Sequence, residues 1–308
     1  MNKKNGEVLK SRIDFVCLIS VTNAMPNGDP NYTNGQPRRD SQSHGYISQE
    51  CIKSKIRKAA RLLGENILYQ PEADSSDGFT CIKDRLLSYG PVSDVVANKK
   101  NKNLNEAVPS ICENWYDIRL FGCTIPFQGK GSIGVTGPVT MSIAKTVSPI
   151  NVSEIRIIKG ANFEAKKDAN GDDISGMSSD RMGVRNVVDF GLYVIKGSIS
   201  PYQAERTGMT DQDAVILKEA LIHLFDDDAS SARPAGSMNV EQLYWWDHSA
   251  ENCKMPKVSP QQMYSSVIIE EKDPDQFPRS MADYTISHVN YRGVVKPDIY
   301  LNEVPVTV

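Results

Sequence analysis

Apolar residues recur along the chain with two periods, and polar stretches rich in glycine and proline separate them. Ile13, Phe15, Cys17, Ile19 and Val21 alternate through residues 13–22, and Val16 and Leu18 make the second face partly apolar too. A strand apolar on both faces belongs inside a sheet, so this run predicts a central strand. The loop Asn23 to Asn31 ends it, with Pro26, Gly28 and Pro30 fixing its shape and exposing backbone N–H groups. A second polar segment, Gly35 to Asp40, leads to a helix predicted over Ser48 to Leu63. With about 100° per residue, Ile56, Ala59, Ala60 and Leu63 fall within about 80° of Ile52. Lys53, Arg57, Lys58 and Arg61 fall between about 100° and 240°. One face is therefore expected on a core and the other to present positive charge.

The pattern weakens over residues 64–115, which read as an insertion: a polar break from Pro71 to Gly78, a short helix within Thr80 to Tyr89, and a charged linker at Ala97 to Asn103. Asp117-Ile118-Arg119-Leu120-Phe121-Gly122 looks strand-like, with Gly129, Gly131, Gly134 and Gly137 in a loop after it. Val139 to Ile143 and Glu154 to Lys159 predict strands. Residues 151–188 read as a long arm, with a turn at Lys166 to Asp173 and a flexible run at Gly176 to Asn186. Val187 to Gly197 is a strong strand. Thr210 and Asp213 form a capping-box pattern. The helix it starts carries a stripe of Leu217, Ala220, Leu221, Leu224 and Phe225. Asp226, Asp227 and Asp228 then stand where a helix dipole disfavours acid, either as a tolerated cost or as a contact for a basic partner. Trp245 and Trp246, adjacent on a strand, face opposite sides; one is expected in the core and one half-exposed.

Composition bounds the class. The chain has 308 residues, 40% hydrophobic and 24% charged, as in an ordinary globular protein of one large or two smaller domains. No apolar run is long enough to span a membrane, and the lysines at the start of the chain precede no apolar core of a signal peptide. Six dispersed cysteines without C-x-x-C spacing read as reduced thiols of a cytoplasmic protein. Charge is uneven. The net is −3, yet residues 1–61 hold 11 Lys and Arg against 5 Asp and Glu, a local +6 against −9 beyond. This suggests a basic site on an acidic body.

Enzyme chemistry finds little purchase. None of the four histidines sits in a nucleophile or zinc motif. The glycine-rich loop lacks the Gly-Lys-Ser/Thr of a phosphate-binding loop. The run from Asp168 places Asp173 and Ser179 where a calcium loop needs Gly and Glu. Asp29 and Asp40 are the carboxylates near the basic helix, and such residues more often cap turns than cleave bonds. No cofactor or metal is expected.

Several segments together resemble the backbone subunit of type I CRISPR interference complexes (Cascade), in the type I-C form, within the RAMP superfamily. They are Asn27-Gly28-Asp29-Pro30, Gly35, Pro37-Arg38-Arg39-Asp40 and Gly45; Lys53 with Ile56-Arg57; Asp117 to Gly122; Gly137-Pro138-Val139; Met182 to Val188 with Phe190 to Tyr193; and Thr207-Gly208 through Ser231-Ala232-Arg233-Pro234. They follow the family's order over about 23–234, although Val184-Arg185-Asn186 replaces a more basic stretch. The resemblance implies an α+β fold: a ferredoxin-like, RRM-like palm (about 13–62, 117–150 and 187–250) with an inserted element (about 64–115) and a thumb-like arm (about 151–186), in a single domain over 1–308.

The resemblance also implies a non-enzymatic, guide-RNA-binding role in antiviral defence. Copies stack head to tail as a helical filament on the guide, beside other Cascade subunits, and leave bases free to pair with target DNA. Lys53, Arg57, Lys58 and Arg61 suit phosphates, as do Arg38, Arg39, Arg185 and Arg233. Asn27 and Gly28 offer backbone donors, and Met177 or Met182 is a candidate wedge between bases. Two readings compete: an RNA endonuclease using Asp29 or Asp40, and a self-assembling protein without nucleic acid.

Overall fold

The computed structural model describes residues 6–32, 35–75, 77–98, 103–129, 131–158, 166–167, 173–174, 182–248, 255, 258–291 and 294–302. Strand β1 (Ile13–Ala24) leads through β2 (Tyr46–Ile47) to helix α1 (Gln49–Leu62). Four short helices follow, α2 (Ile82–Leu87), α3 (Gly90–Ala97), α4 (Val108–Asn114) and α5 (Tyr116–Phe121), then the hairpin β3 (Gly122–Phe127) and β4 (Gly131–Thr136). Strands β5 (Val139–Met141), β6 (Ala144–Thr146) and β7 (Val152–Ile158) precede a small ribbon of β8 (Lys166–Lys167) and β9 (Asp173–Ile174). The long β10 (Met182–Ile199), α6 (Pro201–Thr207), α7 (Asp211–Ile222) and β11 (Met238–Asp247) come next. The C-terminal part holds α8 (Pro260–Ser265), β12 (Val267–Glu271), β13 (Tyr284–His288) and β14 (Asp298–Leu301).

β1 is central, as its two apolar faces require. It pairs antiparallel with β10, Ile13 opposite Ile199, and with β11, Ile13 opposite Asp247, across a bulge at Leu18/Ile19. The sheet runs β14-β11-β1-β10-β6-β2, with β5 and β7 also on β10. Ile13, Phe15, Cys17, Ile19 and Val21 point into one core, where Ile52, Ile56 and Ala60 of α1 and Leu217, Ala220 and Leu221 of α7 cover them. The capping box at Thr210 is formed, so α7 begins where its sequence says. The result is an α+β fold with α1 and α7 on one face of an antiparallel sheet.

The opposite face is covered as well. Val16, Leu18, Phe190, Leu192, Tyr244 and Trp246 pack under Met263 of α8 and Tyr284 of β13. Trp245 and Trp246 do face opposite sides, but both are buried, at 5% and 1% exposure. The expectation of a half-exposed tryptophan is corrected by this C-terminal cover, to which a local strand pattern gives no clue.

A second core forms in residues 64–136. Leu68, Leu86, Val92, Ile111 and Trp115 meet Ile125, Phe127 and Ile133 of the β3–β4 hairpin. The glycine loop expected there is therefore mostly strand. Asp117 to Phe121, expected as a strand, is helix α5. Tyr116 and Leu120 point into the first core, and Trp115 and Ile118 into the second. A helix wedged between two cores is apolar on both sides, and its short span then mimics alternation. The run Met182 to Asn186 is strand rather than a flexible loop, because it pairs with β7, Arg185 opposite Ile155. Met177, the turn at Asp168 to Asp172 and most of the 97–103 linker lie outside the described residues.

Candidate functional site

The loop after β1 is built as a closed turn rather than an open one. The Arg38 backbone N–H donates to the Asn27 carbonyl (3.0 Å), the Asp29 N–H to Gln36 (2.8 Å), and Arg38 Nε to the Gly28 carbonyl (3.0 Å). Asn27 Oδ1 accepts the Ser48 N–H (3.0 Å), which ties the loop to the N-cap of α1. Met25 N–H bonds the Ala232 carbonyl (2.9 Å) and so brings in the turn before β11. Three segments distant in sequence thus meet at the start of α1.

Both loop aspartates are occupied by turns. Asp29 Oδ1 accepts the Asn31 backbone and side-chain N–H groups, each at 3.0 Å. Asp40 accepts the N–H groups of Gln42 and His44 and pairs with Lys145 (2.8 Å). The hydrogen bond from Lys145, with the two backbone bonds, holds the Asp40 carboxyl below its ordinary range. Among the described residues no three His, Cys, Asp or Glu side chains gather as metal ligands.

Beside α1 lies a cleft of about 400 Å³, whose lining includes Lys55, Arg57, Lys58, Arg61 and Arg233. Of the four cations on the face of α1 expected to present free charge, Arg57, Lys58 and Arg61 are instead engaged by neighbouring segments. Arg57 Nε donates to buried Asp117 (3.0 Å) and its guanidinium lies 5.0 Å from the Tyr69 ring centre. Lys58 pairs with Asp227 (3.3 Å), and Arg61 donates to the Asp74 carbonyl. Arg233 Nε donates to Asp228 (2.8 Å), which also holds Lys55. The basic partner of the aspartate triplet after α7 is therefore within the chain. Leu63, placed on the core face by the wheel, caps α1 and is exposed.

Lys55 is the residue that sequence reasoning missed. It lies only about 60° from Ile52 on the helical wheel, inside the apolar arc. Burial pushes its ammonium pKa down, against the opposing pull of Asp228. Cys51, also in the cleft, has its thiol pushed up by burial, with Lys55, Arg233 and Arg38 near enough to oppose this. Arg38 is held on the loop by the Gly28 carbonyl and is not among the residues that line the cleft. Lys53 stands apart, its ammonium 5.4 Å from the Phe121 ring centre. Arg39 is exposed, and neither it nor Lys53 has an ion pair among the described residues. Arg185 is on the β7–β10 ribbon, away from the cleft lining. Met182 opens β10, but its side chain lies outside the described residues.

Fold and cleft define an α+β protein with a cation-lined groove beside its first helix. The sequence matches the family described as CRISPR-associated protein Cas7 over residues 11–289, and the chain belongs to that family. Among solved structures it is similar to a chain of a "CRISPR RNA-guided surveillance complex, pre-nicking", at 13% identity and a TM-score of 0.44, over 76% of this chain and 78% of that one. A chain of a "CRISPR RNA-guided surveillance complex" is similar at 14% identity and a TM-score of 0.40, over 76% and 68%. No curated protein sequence matches the chain. No helix among the described residues is long and apolar enough to cross a membrane.

Proposed function

We propose that this Cas7-family chain is a guide-RNA-holding backbone subunit of a Cascade complex, of the type I-C form, and not an enzyme. The observation that carries the reading is the meeting of the 25–38 loop and the turn at Arg233 at the start of α1, the helix whose cations line the cleft, in a member of that family. A guide holder must bind every spacer alike, so it contacts phosphate and sugar and leaves base edges free. Arg38, Arg39 and Lys53, which lack carboxylate partners among the described residues, are the groups to begin such a track. The sheet face where bases would stack in an open RRM is buried under α8 and β13, which directs RNA to the loop and cleft.

The finer assignments belong to the same reading. The order β11-β1-β10-β6, with α1 and α7 on one face, supports a ferredoxin-like, RRM-like palm. The second core supports an inserted element, and the β7–β10 ribbon a thumb-like arm that reaches the next copy in a head-to-tail filament. The turn roles of Asp29 and Asp40 favour a binding protein over an RNA endonuclease. Target DNA is then met through the guide's bases, in the cytoplasm.

Purification with an expressed CRISPR array tests this. Bound RNA of discrete length is expected, and nucleic-acid-free protein would sink the reading. Arg39→Glu with Lys53→Glu should weaken binding equally for all spacers. It should also flatten the slope of log K against log salt by about 0.7 per lost phosphate contact. Cleavage of target RNA by the parent but not by Asp29→Ala would establish the endonuclease instead.

A further inference from the structure

Four of the five cations that line the cleft beside α1 are held by carboxylates in the free protein. Lys55 and Arg233 meet the Asp228 carboxylate, Arg57 meets that of Asp117 and Lys58 that of Asp227, whereas Arg61 donates to the Asp74 backbone carbonyl. Two of these acids stand just beyond the C-terminal end of α7, where the helix dipole opposes them. They do not serve their own helix; they bind Lys55 and Lys58 of α1, and Asp228 binds Arg233 as well.

The two aspartates are unequal. Asp228 is 14% exposed and holds both Lys55, itself 6% exposed, and Arg233. Removing it leaves a buried ammonium unpaired, so it is part of the fold. Asp227 is 66% exposed and among the described residues holds only Lys58, at 3.3 Å, whose ammonium also donates to the Asp227 backbone carbonyl. An exposed pair of this kind exchanges readily with solvent and with competing anions.

An anion that reaches Lys58 must displace the Asp227 carboxylate from it. A lone phosphate or sulfate merely exchanges one anion for another at the same cation. A phosphodiester chain already held by a neighbouring cation presents its next phosphate at high local concentration, so the exchange becomes favourable. We propose that Asp227 is a specificity-determining residue of this cleft: it keeps Lys58 from isolated anions and yields it to a polyphosphodiester. The inference rests on the RNA-holding reading above.

The test compares parent, Asp227→Asn and a remote control, Glu270→Gln on exposed β12. Affinity for single-stranded RNA is measured over a salt series and in competition with inorganic phosphate at matched ionic strength. Asp227→Asn is expected to bind RNA about 1.5- to 5-fold tighter, the equivalent of one exposed ion pair. Its log–log salt slope should steepen by about 0.7. Phosphate should compete more strongly than chloride against Asp227→Asn, and no better than chloride against the parent and Glu270→Gln. If Asp227→Asn and Glu270→Gln behave alike while the parent binds RNA, the gating role is overturned and the RNA-holding reading stands. If the parent binds no RNA, both fall together.

Discussion

Asp117 shows how much one side chain can join. It is fully buried and accepts the N–H groups of Leu68 (2.9 Å) and Tyr69 (3.1 Å) as well as Arg57 Nε (3.0 Å). The sequence marks the position only as an acid within an apolar run; its three donors come from elsewhere in the chain. Asp117→Asn turns an acceptor edge into a donor facing donors. It should cost about 3 kcal/mol, read as a lower urea midpoint at unchanged m. Arg57 is thus a poor probe of RNA contact, since its loss also leaves Asp117 unpaired. Asp77 is a second such case. The hydrogen bond from Arg85 (2.6 Å), with those of Ser75 and the Phe79 N–H, holds its carboxyl well below the ordinary 3.8. A depressed folded pKa stabilises the fold above the unfolded value and loses that contribution as pH falls toward the folded one. Acidification below about pH 4 should therefore loosen the turn at 77–85, read as faster exchange of the Phe79 amide. Asp77→Asn should remove that pH dependence.

Elements differ in how openly the sequence declares them. β1, α1 and α7 each combine a long periodic run with a clear stop or cap, and each forms near the expected residues. α5 does not declare itself, since it is short and serves two cores. Its end is set by backbone approach. A Cβ on Gly137 would lie 2.3 Å from the Leu120 carbonyl oxygen and 2.5 Å from the Gly122 nitrogen. Gly122 itself has φ of +70°. No rotamer change relieves a clash with backbone, so Gly137→Ala should cost about 1–3 kcal/mol and lower the melting temperature. The β7 edge of β10 was concealed for another reason. Gly183 and Arg185 weaken the apolar pattern, and pairing with β7 over Val152 to Ile158 supplies the missing order.

At the scale of the whole molecule, the sheet is enclosed on both faces, by α1 and α7 on one and by α8 and β12–β13 on the other. Met263, 1% exposed, anchors the second cover. Met263→Asp should place an unpaired charge there and lift the cover from Trp246 and Tyr244. A red-shifted tryptophan emission with retained far-ultraviolet circular dichroism is the expected outcome. By itself, the sequence determined the central strand, the two amphipathic helices that cover it, the turn-rich loop after β1 and the concentration of positive charge in the first 61 residues. Each is written in spacing or composition over a short stretch, where local sterics and periodic burial decide the outcome. Only the tertiary structure decided which of those charges are engaged. Lys55, Lys58 and Arg233 find their acids after α7, Arg57 finds its acid in α5, and Arg39 and Lys53 have no ion pair among the described residues. The reason is that ion pairing and burial depend on distance in space: the partner of Lys55 lies 173 positions away in the chain, that of Lys58 169 and that of Arg57 60.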